Sequence, residues 1–167
     1  MTTRIPRLPY RELPPTVTMR AMTTDDVVPV HVLENQLFPT DAWPLDMFYA
    51  ELKQQQTRHY VVAEEAGAII GYAGLMCIPP LGDIQTIAVE PGHEGQGIGS
   101  VLLRRLIEEA VSRGADSVLL EVRADNPRAQ QLYQYFGFEQ IDIRRRYYRG
   151  GIDAIIMKLD LLEADHD

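Results

Sequence analysis

The stretch TIAVEPGHEGQGIGSVLLRRL, residues 86–106, constrains this chain more than any other. An apolar run ends at Val89, and Gly95, Gly97 and Gly99 follow at alternate positions. Ile98, Val101, Leu102, Leu106 and Ile107 then fall at helical spacing, up to Gly114. The pattern predicts a strand, a glycine turn and a helix. At such a junction backbone N–H groups point outward and the helix dipole favours an anion. Glycine serves where the backbone must approach a phosphate closely. The spacing leaves three readings: an empty strand–helix turn, a dinucleotide site, or a site for another diphosphate.

The rest of the chain supplies the frame. Residues 17–22 predict a short strand. TTDDVVPVHVLENQLF predicts a helix capped by Thr24 or Asp25, with Val27, Val28, Val32, Leu33 and Leu37 as its apolar residues and Pro29 tolerated in its first turns. WPLDMFYAELKQQ predicts a second helix with Pro44 near its start. RHYVVAEEAGAIIGYAGLMCI reads as two strands joined by a turn at Glu65–Gly67, and GDIQTIAVE as a third. DSVLLEVR is a strand. NPRAQQLYQYFG is a short helix with Asn126 as cap and Gly137 past its end. FEQIDIRRRYY and GIDAIIMKLDL are two final strands. The order β, α, α, β, β, β, α, β, α, β, β gives a mixed α/β sheet, parallel where a helix intervenes and antiparallel where a turn does.

Bulk properties exclude several classes. The 167 residues suffice for one core. The net charge of -8 argues against duplex nucleic acid as the main partner and is compatible with a basic peptide. No apolar run approaches the ~20 residues of a membrane span, and the N-terminus lacks a signal-peptide core. The expectation is a cytoplasmic protein with neither a nucleic-acid nor a membrane partner. The first twenty residues hold four prolines and no helical period, so they predict an extended tail. The single cysteine, Cys77, permits no internal disulfide and reads as a small buried hydrophobe. His31, His59, His93 and His166 show no metal-ligand spacing, so no metal is expected.

The loop itself separates the ligands. A Rossmann fingerprint reads G-x-G-x-x-G, whereas this loop reads G-x-G-x-G and comes mid-chain after antiparallel strands. EGQGIGS instead resembles the acyl-CoA loop of the GNAT acetyltransferases, Q/R-x-x-G-x-G/A, with Gly97 and Gly99 at its two fixed glycines. TIAVEP is similar to that family's fourth strand. Glu94 departs from the family pattern, standing where Gln or Arg is usual. A carboxylate facing a pyrophosphate would repel it, so Glu94 is expected to point to solvent.

In LLEVRADNPRAQQLYQYFGFEQ, strand alternation puts Leu119, Glu121 and Arg123 on one face and Val118, Leu120 and Val122 on the other. Glu121 is a charge in an apolar strand, and burial would raise its pKa. It also reads as a structural carboxylate paired with Arg123 or a neighbouring strand. Tyr133 shares a helix face with Ala129, Leu132 and Phe136 and also reads as a core aromatic. Arg144 to Arg149 form a basic cluster that fits a solvated hairpin. Together, LEVR, N-x-x-A-x-x-L-Y-x-x-x-GF, RRRYY and DAIIM resemble the RimI family of ribosomal-protein-alanine N-acetyltransferases over residues 20–160.

That resemblance implies a GNAT fold, a mixed central sheet with splayed parallel strands flanked by helices. It implies a tail over 1–16, one acetyltransferase domain over 17–162, and a C-terminal tail over 163–167. It implies acetyl-CoA as cosubstrate, held by Ile87, Ala88, Val89, Gly95, Gln96, Gly97, Ile98, Gly99, Ser100 and Asn126. Glu121 would be the general base and Tyr133 the general acid. Trp43, in PTDAWP at 39–44, would stand opposite Tyr147 and Tyr148 across a groove for the N-terminal segment of a protein, a small-subunit ribosomal protein in the RimI case. The chemistry agrees. An α-amino group has a pKa of about 7.7–8.0 against about 10.4 for lysine, so a carboxylate base suits an N-terminus better than a lysine. Transfer to a lysine or a small-molecule amine, and a catalytically idle acyl-CoA-binding module, remain open on sequence.

Overall fold

The computed structural model describes residues 7–162. Residues 1–6 and 163–167 lie outside it, and with them the C-terminal tail, His166 and part of the N-terminal tail. The strands are β1 (Val17–Ala21), β2 (Arg58–Glu65), β3 (Ala68–Ile78), β4 (Leu81–Val89), β5 (Ser117–Arg123), β6 (Glu139–Tyr148) and β7 (Ile152–Asp160). The α-helices are α1 (Val27–Leu37), α2 (Leu45–Leu52), α3 (Ile98–Ser112) and α4 (Pro127–Tyr135). The expected order of elements is the observed one.

The strands form one seven-stranded sheet in the order β1-β2-β3-β4-β5-β7-β6. Only β4 and β5, joined by the single helix α3, pair in parallel. β1 and β2 depart from the sequence expectation, pairing antiparallel although α1 and α2 lie between them, since two helices reverse the chain once more than one does. That pairing is short. It runs from Leu81 opposite Ser117 to Ile84 opposite Leu120 and stops there. β4 continues to Val89 on β3, and β5 continues to Arg123 on β7. The two strands therefore splay, and a gap opens where each keeps one backbone edge unpaired.

The sheet is covered on both faces. Against one face α3 buries Ile98, Leu102, Leu103, Leu106, Ile107 and Ala110, with Val118, Leu120 and Val122 of β5 beneath it. Against the other, α1 and α2 bury Val27, Val30, Leu33 and Phe48 over Tyr60, Val62 and Tyr72. Helix α1 differs from the sequence expectation. Val28 and Val32 are 53% and 52% exposed, and the buried row is Val27, Val30, Leu33 and Glu34. A polar residue stands in that row because its carboxylate is fully engaged. Glu34 accepts the Tyr72 hydroxyl and the Trp43 backbone N–H, the latter at 2.9 Å. The helix also begins later than Thr24. A 3-10 turn over Thr24–Asp26 precedes it, with the Thr23 N–H donating to Asp26 Oδ2 at 2.7 Å.

Residues 7–16 carry no helix or strand, and they run against α3. Leu8 is buried in the α3-side core and Leu13 packs on it. Arg104 of α3 donates to the carbonyls of Leu8 and Pro9 at 3.1 and 3.0 Å. No helix among the described residues is long and apolar enough to cross a membrane.

Candidate active site

A cleft of about 550 Å³ opens at the end of β4, where the strands part. Its floor is Ile87, Ala88 and Val89. The turn supplies Gly95 and Gly97, and the first turn of α3 supplies Ile98, Gly99 and Ser100. Asn126 and Tyr133 come from the start and body of α4. Gln96 is the one expected residue of the loop that does not line the cleft.

The local sequence explains the loop. Gly95 and Gly97 have φ of 82° and 84°, in the left-handed region that costs other residues strain. Gly97 is the residue before α3, so the first N–H groups of a fifteen-residue helix face the cleft. Glu90 steadies the turn before it by accepting the Gly92 N–H at 3.0 Å and bonding His93 Nδ1. His93 Nε2 reaches Glu65 Oε1 at 3.0 Å. The two carboxylates raise the His93 pKa above its ordinary value. Asn126 caps α4 through its side chain, which accepts the Ala129 N–H at 3.2 Å.

Glu121 sits just beyond the last position of β5 that pairs with β4, on the face opposite Val118, Leu120 and Val122. The expected burial is not found. Glu121 is exposed, and its Oε1 pairs with Arg144 Nη1 of β6 at 3.1 Å. Arg123, the other partner considered, instead binds Asp41 and Asp125. β5 exposes Glu121 because β4 has left its side there and only β7 remains paired with it.

Tyr133 is buried, edge-on to Phe138 at 6.0 Å between ring centroids. Burial raises its pKa well above the ordinary phenol value, and Tyr148 adds to the effect. Tyr148 is itself pushed up to about 12, by burial first and then by Glu121. Tyr148 thus lies near both Glu121 and Tyr133.

Trp43, Tyr147 and Tyr148 do not line the cleft. Of the three, Tyr148 lies near enough to Glu121 to feel its charge. Tyr147 and Tyr148 meet edge to face at 5.1 Å, Arg144 lies over Tyr147, and Arg123 lies over Tyr148 at 5.2 Å. Through Asp41, Arg123 ties this cluster to the 39–44 segment. Trp43 is held there by Glu34 and packs on Phe48 at 5.2 Å.

Glu94 does not simply face solvent. It stands at the cleft mouth with its Oε2 accepting from Arg128 Nη1 at 2.9 Å, because Arg128 projects from the first turn of α4 directly opposite. Sequence reasoning missed Arg128, and also Arg11, Leu37, Phe38 and His93, all of which line the cleft. Arg128, two residues after the Asn126 cap, and His93, just before the glycines, lay in stretches already singled out. Cys77 is buried, and burial pushes its thiol up, away from the reactive thiolate.

Known proteins share this chain's sequence pattern and fold. The Acetyltransferase (GNAT) family model matches residues 28–138. The chain is 43% identical over 150 residues to the N-alpha-acetyltransferase RimI of Mycobacterium tuberculosis, covering 86% of this chain and 92% of that one. It is 36% identical over 146 residues to a putative ribosomal protein bS18-alanine N-acetyltransferase of Bacillus subtilis, covering 87% and 96%. The crystal structure of the Escherichia coli ribosomal-protein-S18-alanine N-acetyltransferase superposes with a TM-score of 0.79 at 31% identity, covering 90% of this chain and 97% of that one. The chain belongs to the GNAT family of acetyltransferases and, within it, to the RimI group.

Proposed function

We propose that this protein transfers acetyl from acetyl-CoA to the N-terminal alanine of a small-subunit ribosomal protein, in the cytoplasm, by direct attack within a ternary complex. The observation that carries the proposal is the cleft itself. One continuous surface joins the glycine turn, the unpaired edge of β4, Asn126 and Tyr133, and Glu121 flanks the same gap. The residues present fit acetyl-CoA. Gly95 and Gly97 and the N–H groups of α3 suit its pyrophosphate. The β4 edge at Ile87–Val89, abandoned by β5, offers N–H and C=O groups to its amide-bearing arm. Bound there, acetyl-CoA supplies the activated thioester.

The chain's own residues then do the rest. Trp43, Tyr147 and Tyr148 bound the approach to the gap and hold the incoming N-terminus. Glu121 takes the proton that the α-amine loses as it attacks, directly or through a water. Arg144 holds the Glu121 carboxylate in position. Tyr133, kept protonated by burial, donates to the leaving sulfur. An α-amine is neutral in roughly a tenth of molecules near neutral pH, so an exposed carboxylate suffices as base. Cys77, buried away from the cleft, forms no acyl-enzyme.

The test is turnover with an alanine-starting peptide. Glu121→Gln and Tyr133→Phe are each expected to lower kcat by about a hundredfold or more, the scale of lost general acid–base catalysis. Acetyl-CoA affinity, measured by calorimetry, should persist in both. Unchanged kcat in both variants contradicts the assignment.

A further inference from the structure

Two guanidinium groups stand over the glycine turn. A Cβ built on Gly97 would lie 2.6 Å from Arg11 Nε and 2.8 Å from Arg11 Cζ, so the Arg11 guanidinium rests directly on this backbone. A Cβ on Gly95 would lie 3.9 Å from Arg128 Nη2. The two arginines differ in their state. Arg128 is already paired with Glu94. Among the described residues, Arg11 has no carboxylate within ion-pair distance.

The placement of Arg11 is enforced. Leu8 upstream and Leu13 downstream are both anchored in the α3-side core. Arg104 grips the carbonyls of Leu8 and Pro9, and its guanidinium lies over the Tyr10 ring at 5.5 Å. The Val17 N–H closes the segment by donating to the Pro14 carbonyl at 2.9 Å. The intervening Arg11 therefore spans the N-terminus of α3. A cation there is unfavourable by itself, since the helix dipole already makes that end positive. A dianionic diphosphate reverses the sign. Glu94 adds to the need, because it neutralises Arg128 at the same mouth.

We propose that Arg11 is a ligand for the pyrophosphate of acetyl-CoA, carried to the glycine turn by the N-terminal segment. The inference rests on the acetyl-CoA reading of the cleft and is independent of which amine is acetylated. It assigns the segment before β1 to the cosubstrate site, where it supplies the positive side chain that Glu94 does not.

Calorimetry on the full chain, with CoA as the probe, tests it. Arg11→Ala should weaken CoA binding about tenfold, as expected for one lost charge-assisted hydrogen bond. Arg11→Lys should recover part of that loss. Turnover of S-acetylpantetheine, which lacks phosphates, should be the same in wild type and Arg11→Ala. Unchanged CoA affinity in Arg11→Ala overturns the proposal. Tighter binding also overturns it, by making Arg11 a plug. An equal loss with S-acetylpantetheine overturns it in favour of a structural role. A wild-type protein that does not bind CoA overturns the acetyl-CoA reading and this inference together.

Discussion

Asp83, on β4 beside the Glu121–Arg144 pair, carries the most informative charge in the sheet. Burial pushes its carboxyl up to about 6, Glu121 reinforces the shift and Arg144 opposes it. The folded protein thus binds this proton more tightly than the unfolded chain, whose value is 3.8. Stability is then lost as pH rises from about 4 to about 6 and is level above that. Asp83→Asn should grow progressively more stable than wild type across that window in thermal melts, and a pH-independent difference would contradict the account. Glu34 makes the opposite case, a buried carboxylate with its partners in place. Glu34→Ala strands the Tyr72 hydroxyl and frees the Trp43 N–H, so urea unfolding should show a loss on the order of 3 kcal/mol. At this scale Tyr133 was legible, since helix spacing placed it on the buried face. Glu121 was legible in direction and not in burial, because alternation along β5 says nothing about where β4 departs.

Among the elements, the turn between β4 and α3 has its own pH response. His93 is held between Glu65 and Glu90, and its charged form strengthens both bonds. That support is complete below the ordinary histidine value of 6.5 and is lost as pH rises through the raised folded-state value. Amide exchange of residues 90–97 in wild type should therefore converge on that of His93→Gln at alkaline pH and be slower near pH 6.5. Identical exchange at both pH values would remove His93 from the turn's support. The glycines announced this turn, whereas His93 gave no sign, because its partners come from β2 and from across the turn. Helix α1 was legible as a helix while its buried face was read one step off. The apolar residues Val28 and Val32 outnumbered the signal from Val30, and Glu34 broke the pattern. The segment before β1 was legible only as non-helical. Proline content hides that Leu8 and Leu13 dock on α3, since two isolated leucines set no period.

At the scale of the whole molecule, a helix between two strands made the parallel β4–β5 pair legible but misread β1 and β2, which pair antiparallel across two helices, and the β4–β5 splay is what makes a cleft. The sheet order beyond it was not, because nothing local tells β7 to insert between β5 and β6. That insertion matters for the proposed activity. It sets Arg144 against Glu121, and Tyr148 under Arg123, which in turn binds Asp41 of the 39–44 segment. In the proposed function the two sides do separate work, β4, α3 and α4 holding the cosubstrate and β6 with the α1–α2 connection holding the peptide. The central claim is that the peptide side presents a free α-amine. Thiol release from acetyl-CoA with short peptides beginning Ala, Ser, Met or acetyl-Ala, and one whose only amine is an internal lysine, tests it most directly. The account predicts release with the alanine-starting peptide and none with the acetyl-Ala or lysine-only peptides. Release with the lysine-only peptide, at a rate matching the alanine-starting one, would contradict it.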